Sequence, residues 1–562
     1  MPRLRASLLL LVIAVAGCHD SSRTGPAESG PAEVSLTYVC GNNFDIRNDS
    51  GASLTVSYSV MGTPETGALL LLGGSGGSST TRLTTLHEGA VQLSYGDEQQ
   101  LPPVANGSQQ CAAPGWSDQV SATRGQWSAP FAWPVVAVHL HLLPNGKVLS
   151  WGRIGDPQVW DAATGRFTPA PSSTMVFCSG HTFLPDGRLL VAGGHLDDRR
   201  GLPDVNIFDP LLQTWQAAPR MQWARWYPTT TTLPDGEVIT LGGSDENGAQ
   251  VEVPEVWSGT SWRPLEGAAR ILPYYPRTFV APNGLLFYAG ELPETGYLDP
   301  AGSGTWTAVG TSKYGRRDYG SAVMYSPGRI MIVGGSDPPD GAPTNTAELI
   351  DLNQPDPVWR YTEPMAYARR QFNATLLADG EVLVTGGTSS PGFSDPAGAV
   401  HSAEVWEPQT QHWTSLASAR ITRVYHSTTL LLPDGRVLHA GSGDGPGLPR
   451  ELSAELFSPP YLFHGERPAI TSGPDRLAFG QAFTIGTPDA GEIVRVNLIR
   501  LGSVTHAFDQ SQRFLTLSFQ RSAGGLTVSA PASGTLAPPG PYLLAILNGA
   551  GVPSVARIVS LQ

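Results

Sequence analysis

A glycine-punctuated motif recurs through most of this chain and constrains its fold more than any other feature of the sequence. Each copy consists of a turn glycine, five mainly apolar residues and a second glycine, which is often doubled. The seven turn glycines follow one another at intervals of 41 to 55 residues, at Gly146, Gly187, Gly236, Gly284, Gly328, Gly380 and Gly435. A turn, a short apolar strand and a second turn in this order predict repeated copies of one supersecondary unit.

The composition is that of a folded all-β protein. Glycine and proline account for 65 and 49 of the 562 residues, and both residue types end helices and favour tight turns. With 40% apolar and only 15% charged residues, the chain has enough apolar surface to fold, which excludes an intrinsically disordered protein. Its net charge of -13 argues against nucleic acid as a partner, because phosphates require a basic face.

The length of the repeat and the tryptophans that end most copies are similar to those of kelch repeats, whose four-stranded sheets pack radially. We therefore predict a seven-bladed kelch-type β-propeller over residues 125–467. The glycine motif then stops, and residues 468–562 have the shorter alternating strands of an immunoglobulin-like β-sandwich. Residues 33–112 also alternate and are predicted to form a small β-domain, followed by a linker at residues 113–124.

The N-terminus has the features of an export signal. Two arginines precede an apolar run at residues 8–16, which is too short to span a bilayer. The run ends in two small residues and Cys18, which resembles the signal of bacterial lipoproteins, where the cysteine thiol receives the lipid. We therefore expect removal of residues 1–17, a linker at residues 18–32, and anchoring in the bacterial cell envelope through a lipid on Cys18.

Three cysteines remain once Cys18 is assigned to the lipid. Cys40 and Cys111 bracket the alternating strands of the small domain, where a disulfide worth about 4 kcal/mol would form in an oxidising compartment. Cys178 is then left without a partner. Counting alone favours an inert, buried thiol at Cys178, because free cysteines are usually packed in the interior.

The strand before each turn glycine is expected to line the propeller axis, so residues at one distance from the turn should form a ring. Nine residues before the turn glycines stand Ala137, Cys178, Tyr227, Tyr275, Tyr319, Gln371 and His426. Because loop lengths can shift the count by one residue, Tyr425 is as good a candidate as His426 for the ring position of the last copy. Phenols and an imidazole near an axial channel suit Cu(II), which favours nitrogen and oxygen donors, whereas zinc sites more often use thiolates or three histidines.

Four motifs resemble those of the copper radical oxidases, the family of galactose oxidase and glyoxal oxidase. They are Phe177-Cys178, Ala224-Arg-Trp-Tyr227, Arg423-Val-Tyr-His426-Ser and Ser503-Val-Thr-His506. The likeness extends from about residue 126 to residue 559, in the family order of propeller and C-terminal sandwich.

The resemblance implies a role for each of five residues. Tyr227, His426 and His506 would be equatorial copper ligands, and Tyr425 would be the axial ligand. Cys178 would be joined to the ring of Tyr227 by a thioether, which reverses the expectation that its thiol is inert. His506 lies outside the repeats and would reach into the propeller channel on a loop of the C-terminal domain.

The implied reaction is oxidation of a primary alcohol or an aldehyde hydrate by O2, with H2O2 as the second product. Copper and a radical cofactor made from Tyr227 and Cys178 would each accept one electron, and Tyr425 would remove the substrate proton. Aromatic side chains would protect the radical from solvent, and the candidates are Trp223, Trp226, Tyr275 and Tyr319.

The sequence departs from galactose oxidase near the radical. After Gly242-Gly243-Ser244 it continues Asp-Glu-Asn-Gly and lacks the tryptophan that shields the radical there. This departure argues against galactose as the substrate. The Arg225-Trp-Tyr227 run resembles that of glyoxal-oxidase-like members, which favours small aldehydes or primary alcohols. An oxidase of envelope polysaccharide ends is a further hypothesis, and the main alternative is a non-catalytic propeller that binds glycans at the cell envelope.

Overall fold

The computed structural model describes residues 34–562 apart from 41–42, 51, 72–78, 86, 88, 97–98, 106–115 and 446–447. In this part of the chain the helices are Trp116–Arg124 and three 3-10 turns, at Glu266–Ala268, Pro396–Gly398 and Pro460–Phe463. Everything else that is regular is β-structure, so the predicted all-β class is confirmed. No helix among the described residues is long and apolar enough to cross a bilayer.

Each copy of the glycine motif contributes the second strand of a separate sheet, here numbered 1 to 7 along the chain. Sheets 1 to 3 contain His139–Leu142, Val148–Trp151, Gln158–Trp160 and Phe167–Pro169; Gly180–Phe183, Leu189–Ala192, Val205–Asp209 and Thr214–Ala218; Thr229–Thr232, Val238–Leu241, Glu255–Trp257 and Trp262–Pro264. Sheets 4 to 6 contain Thr278–Val280, Leu286–Tyr288, Glu294–Asp299 and Thr305–Thr311; Ser321–Ser326, Arg329–Val333, Ala347–Asp351 and Arg360–Tyr361; Arg370–Leu376, Val382–Thr388, Ser402–Glu407 and His412–Ser418. Sheet 7 begins with Thr428–Leu431, Val437–Ala440 and Ser453–Ser458.

The first strands of the sheets lie side by side around a common centre, as in a propeller. Threonine hydroxyls hydrogen-bond between neighbouring first strands, in the pairs Thr182–Thr232 (3.0 Å), Thr231–Thr278 (2.8 Å) and Thr375–Thr429 (2.6 Å). The ring closes because Gln126–Trp127 and Phe131–Ala132, which precede sheet 1, pair with Ser453–Ser458 of sheet 7. Closure of this kind ties the two ends of the propeller together and shortens its free edges.

A buried ion pair recurs in four sheets and fixes the segment before each first strand. The pairs are Arg225–Glu255 (2.9 Å), Arg317–Glu348 (2.8 Å), Arg369–Glu404 (2.5 Å) and Arg423–Glu455 (3.5 Å). Each arginine also donates to the carbonyl of a motif glycine, at Gly242, Gly334, Gly386 and Gly441. In each of these sheets, the glycine motif is therefore held to the chain just before the ring position of the same sheet.

The N-terminal strands are Val34–Cys40, Asn43–Asn48, Leu54–Val60, Thr66–Leu71, Ser79–Thr84, Val91–Tyr95 and Gln99–Gln100. They enclose a small apolar core and join the propeller where Leu69 pairs with Phe131. Cys111 of the expected disulfide lies outside the described residues, and so do the expected lipid site at Cys18 and the expected signal at residues 1–17.

The C-terminal domain is a sandwich of two sheets around its own apolar core. One sheet contains Arg476–Leu477, Ile493–Arg500, Phe514–Leu517, Gly540–Asn548 and Arg557–Leu561, and the other contains Ala482–Gly486, Phe519–Ser522 and Gly525–Ser529. A hairpin of Ser503–Thr505 and Phe508–Asp509 leaves this sandwich and pairs with the first strand of sheet 1. This hairpin carries the C-terminal domain into the centre of the propeller.

Candidate metal centre

Six of the seven ring positions have a left-handed backbone. The φ angles are 64° at Cys178, 63° at Tyr227, 48° at Tyr275, 51° at Tyr319, 56° at Gln371 and 67° at His426. Non-glycine residues adopt this conformation at a cost of about 1–2 kcal/mol, so the surrounding structure must impose it. Backbone hydrogen bonds of 2.9 Å contribute, from Tyr227 N to Cys178 O, from Tyr275 N to Tyr227 O and from Gln371 N to Tyr319 O.

Tyr425 and His426 are adjacent in the sequence, and adjacent side chains of an extended strand point in opposite directions. Instead their rings stack, with centroids 3.7 Å apart and planes 26° apart. The reason is the φ of 67° at His426, which interrupts the extended backbone just before Thr428–Leu431. Both side chains therefore face the same space at the centre of the propeller.

His506 occupies the tip of the hairpin from the C-terminal domain. His506 and Ala507 have φ angles of 44° and 67°, the two consecutive left-handed residues of a tight two-residue turn. The turn brings His506 Nε2 to 2.7 Å from Tyr227 Oη, while Thr505 Oγ1 lies 2.6 Å from the other ring nitrogen. The structure therefore brings a C-terminal imidazole to a propeller phenol, although 279 residues separate them in the sequence.

Tyr227 Oη is within hydrogen-bonding distance of two further potential metal ligands, and the ring of His426 packs beside both of them, 3.7 Å from that of Tyr425 and 4.8 Å from that of His506. Tyr227 Oη lies 2.6 Å from Tyr425 Oη and 2.7 Å from His506 Nε2. His426 Nδ1 is 2.6 Å from the carbonyl of Gly443, which assigns the proton to Nδ1. The buried Nε2 has no hydrogen-bond partner among the described residues. Two donors bound to one ion at 2.0–2.1 Å and a right angle lie about 2.9 Å apart, so this set fits a metal. Two imidazoles and two phenols suit copper.

Burial determines the protonation of these groups. It lowers the pKa of His426 to about 3 and holds that of His506 well below its ordinary value, with further lowering at His506 by nearby histidines. Burial also raises the pKa of Tyr227 and Tyr425. Both imidazoles are consequently neutral and able to donate to a metal, while the phenols need a cation beside them to ionise near neutral pH.

Cys178 lies against the ring of Tyr227 in a fully buried cluster that also contains Phe177, Trp226 and Tyr275. Its thiol is packed within this cluster, and burial raises its pKa. Cys178 is the free cysteine of the described residues. The cysteine that the sequence leaves without a disulfide partner therefore lies beside Tyr227, a predicted copper ligand.

Aromatic side chains cover Tyr227 on several sides. Trp226 stacks on it with centroids 3.5 Å apart and planes 5° apart, and Tyr275 lies 4.6 Å away at 31°. Tyr319 instead packs edge-on against Tyr425, at 5.7 Å. Among the aromatic contacts of the described residues, Trp223 makes none with Tyr227, whereas Tyr274, which the sequence analysis did not single out, approaches it at 5.6 Å.

A buried chain of histidines behind Cys178 was also missed. The Cys178 backbone N–H donates to His139 Nε2 at 3.1 Å, and His139 Nδ1 lies 3.0 Å from His181 Nε2. His181 and His141 each place Nδ1 beside Ser503 Oγ, at 2.7 and 3.0 Å. These hydrogen-bonded histidines link the Cys178 backbone to the hairpin that carries His506. The sequence spacing of His139, His141 and His181 matches no recognised motif, so no pattern in the sequence indicated this contact.

Two family profiles and several curated relatives point to the same family. The family profile described as "Galactose oxidase-like, Early set domain" matches residues 467–561, and "Glyoxal oxidase N-terminus" matches residues 340–461. A galactose oxidase of Gibberella zeae is 30% identical over 485 residues, covering 77% of this chain and 70% of that protein. "Aldehyde oxidase GLOX" of Vitis pseudoreticulata is 30% identical over 481 residues, covering 75% and 89%.

A solved structure supports the same assignment. A fungal alcohol oxidase of the AA5 family, in complex with copper, superposes with a TM-score of 0.72 at 25% identity and covers 78% of this chain and 100% of its own. The family resemblance inferred from the four sequence motifs is therefore confirmed, including its early-set C-terminal domain. This chain belongs to the galactose oxidase and glyoxal oxidase family of copper radical oxidases.

Proposed function

We propose that this chain oxidises a primary alcohol or an aldehyde hydrate with O2 and releases H2O2. The observation that carries the proposal is the position of Tyr227 Oη, 2.6 Å from Tyr425 Oη and 2.7 Å from His506 Nε2. The ring of His426 lies 4.8 Å from that of His506, and its buried Nε2 has no hydrogen-bond partner among the described residues. Oxidases of alcohols and aldehydes among its relatives support the same chemistry.

Tyr227, His426, His506 and Tyr425 would hold copper. Copper supplies Lewis acidity toward the substrate oxygen and accepts one electron when it is bound. The two phenol oxygens would ionise to balance its charge, since burial leaves water little part in that role. His426 is already oriented for this by Gly443, and His506 by Thr505.

Tyr425 would act as the base. Its oxygen would take the hydroxyl proton of the substrate and leave the ligand set as a neutral phenol, which burial favours. Its ring is held between His426, 3.7 Å away, and the edge of Phe393, 4.7 Å away. Phe393 is 37% exposed and would form the outer wall past which substrate approaches.

Tyr227 and Cys178 would form the second electron carrier. A thioether between Sγ and the phenol ring replaces one S–H and one ring C–H bond, and the two protons and two electrons released reduce O2 to H2O2. The sulfur-substituted phenol, after loss of one electron, would then take the hydrogen from the substrate carbon as the carbonyl forms. Over a turnover the substrate loses two electrons and two protons, and O2 accepts them as H2O2.

The substrate is proposed to be a small aldehyde or alcohol rather than galactose. The chain lacks a tryptophan after Gly242-Gly243-Ser244, and Trp226 stacks on Tyr227 from the adjacent position in the sequence. The tryptophan that would shield the radical on Tyr227 thus comes from a different sequence position than in galactose oxidase. Export, with a lipid on Cys18, remains part of the proposal.

The test combines peptide mass with oxygen consumption. Copper-treated protein is digested, and a Cys178–Tyr227 peptide pair about 2 Da lighter than the sum of its members is expected, because two hydrogens are lost. Oxygen uptake and H2O2 release are then screened with small alcohols, aldehydes and sugars. Cys178→Ser should abolish the linked pair and the turnover, while Tyr274→Phe, which alters a neighbouring ring, should preserve both. Unlinked peptides and no peroxide from the copper-bound wild type would favour a non-catalytic propeller.

A further inference from the structure

A short hairpin interrupts sheet 2 beside the candidate metal centre. Its strands, His195–Asp197 and Arg200–Gly201, lie between the second and third strands of the sheet. The side chain of His195 is buried, with 7% of its surface exposed, although Asp197 and Asp198 next to it face solvent. A buried imidazole at the start of an exposed hairpin needs a partner, since burial without one is unfavourable.

That partner is Trp226. The indole Nε1–H donates to His195 Nδ1 at 3.1 Å, and because the indole nitrogen is only a donor, the imidazole proton must sit on Nε2. His195 Nε2 lies 4.0 Å from Asp198 Oδ1, which Arg153 also approaches at 3.5 Å. The ring of Phe177 packs against the imidazole at 5.3 Å. The acceptor nitrogen is therefore held toward the indole by contacts on its other sides.

The geometry of Trp226 requires such a constraint. Its ring lies 3.5 Å from that of Tyr227 and only 5° from parallel, whereas aromatic pairs left to themselves prefer offset or edge-to-face arrangements. The backbone permits the stack through the φ of 63° at Tyr227. Within the part of the chain that the structure describes, the hydrogen bond to His195 is the one polar contact that orients the indole ring.

We propose that His195 is a positioning residue of the radical cofactor: by accepting the indole N–H it holds Trp226 parallel to Tyr227 and thereby prolongs the lifetime of the oxidised Tyr227–Cys178 unit. This inference rests on the proposed function. His195 itself touches neither substrate nor copper in this role. Without the hydrogen bond the indole turns out of the stack and opens one face of the phenol to solvent and reductants.

Two substitutions separate the hydrogen bond from the bulk of the side chain. His195→Gln offers an amide oxygen that can accept the indole N–H, and His195→Leu offers none. Leu196→Ala, at an exposed residue of the same hairpin, controls for general loosening of the hairpin. Trp226→Phe removes the N–H, so adding His195→Leu to it should have little further effect.

The first measurement uses the copper-free protein. After incorporation of 5-fluorotryptophan, the fluorine resonance that disappears in Trp226→Phe belongs to Trp226. It should shift in His195→Leu and stay near its wild-type position in His195→Gln and Leu196→Ala. An unmoved resonance in His195→Leu would overturn the assignment of His195 as the residue that orients the indole.

The second measurement follows the radical absorbance of copper-loaded, oxidised protein without substrate. His195→Leu should shorten its half-life about fivefold or more, the effect of losing one net hydrogen bond from the stacked state, and His195→Gln should recover most of it. Equal half-lives in wild type and His195→Leu would refute the inference while the oxidase function stands. Absence of any radical in the wild type would refute the proposed function, and the fluorine spectra would still decide whether His195 orients Trp226.

Discussion

Replacing Glu255 by glutamine tests how the buried ion pairs support the metal centre. Arg225 and Glu255 are both fully buried and lie 2.9 Å apart, and Arg225 immediately precedes the Trp226-Tyr227 pair. Glu255→Gln leaves the guanidinium charge without a counter-ion, and breaking a buried pair from one side costs about 3–5 kcal/mol. Arg225 would keep its bonds to the carbonyls of Gly242 and Val253, which places the expected loss toward the lower end of that range.

The assay is urea unfolding, with the free energy taken from the midpoint at an unchanged slope. Two controls bracket the result. Glu237→Gln removes a partly exposed partner 4.0 Å from Arg263 and should cost less than about 1 kcal/mol. Glu348→Gln breaks the matching buried pair with Arg317 in sheet 5 and should destabilise the fold as strongly as Glu255→Gln.

The two buried variants should differ at the metal centre. Glu255→Gln loosens the segment that carries Tyr227, so the yield of the proposed thioether should fall, whereas Glu348→Gln should leave it near the wild-type level. Peptide mass after copper treatment measures that yield. A loss of stability below about 1 kcal/mol in Glu255→Gln, or an equal thioether yield in the two buried variants, would refute the reasoning.

Three further predictions concern the ligands and a buried acid. Tyr425→Phe should lower kcat by about 100-fold to 10,000-fold while the thioether still forms; a kcat within threefold of wild type would rule out Tyr425 as the base. His506→Ala should weaken copper binding by well over 100-fold, measured against a competing chelator, and unchanged affinity would remove it from the ligand set. Burial raises the pKa of Asp509 from 3.8 to about 6, so its contribution to stability is full below pH 4 and is lost as pH rises through 6, by up to about 3 kcal/mol; Asp509→Asn should flatten that part of the stability profile, and an unchanged profile would contradict the assignment.

The fold was largely predictable because its signal is local and repeated. Each turn glycine marks the same junction between a first and a second strand, and the sheets that contain these strands appear in chain order. The ring positions could be counted for the same reason. Counting could not supply the backbone conformation at these positions. The φ angles of Tyr227 and His426 are left-handed although neither residue is glycine, and at Tyr227 a backbone hydrogen bond to the Cys178 carbonyl contributes.

Tyr425 and His426 illustrate the limit of local reasoning. Alternation along a strand separates adjacent side chains, but the structure stacks these two rings because His426 is left-handed. His195 is a second case. Nothing in Gly193-Gly194-His195 indicates a contact with Trp226, since that contact depends on a hairpin folding over a neighbouring sheet.

The amino-acid sequence by itself determined the repeat, the all-β class, the family motifs and the identity of the residues expected at the centre, because turn residues, strand periodicity and motif spacing act over a few neighbours in the chain. Only the tertiary structure decided which of those residues touch. His506 meets Tyr227 through a hairpin from another domain, Trp226 is oriented by His195, and the Cys178 backbone is tied through histidines to that same hairpin. These contacts join segments far apart in sequence, and they exist only once the sheets have closed around a common centre.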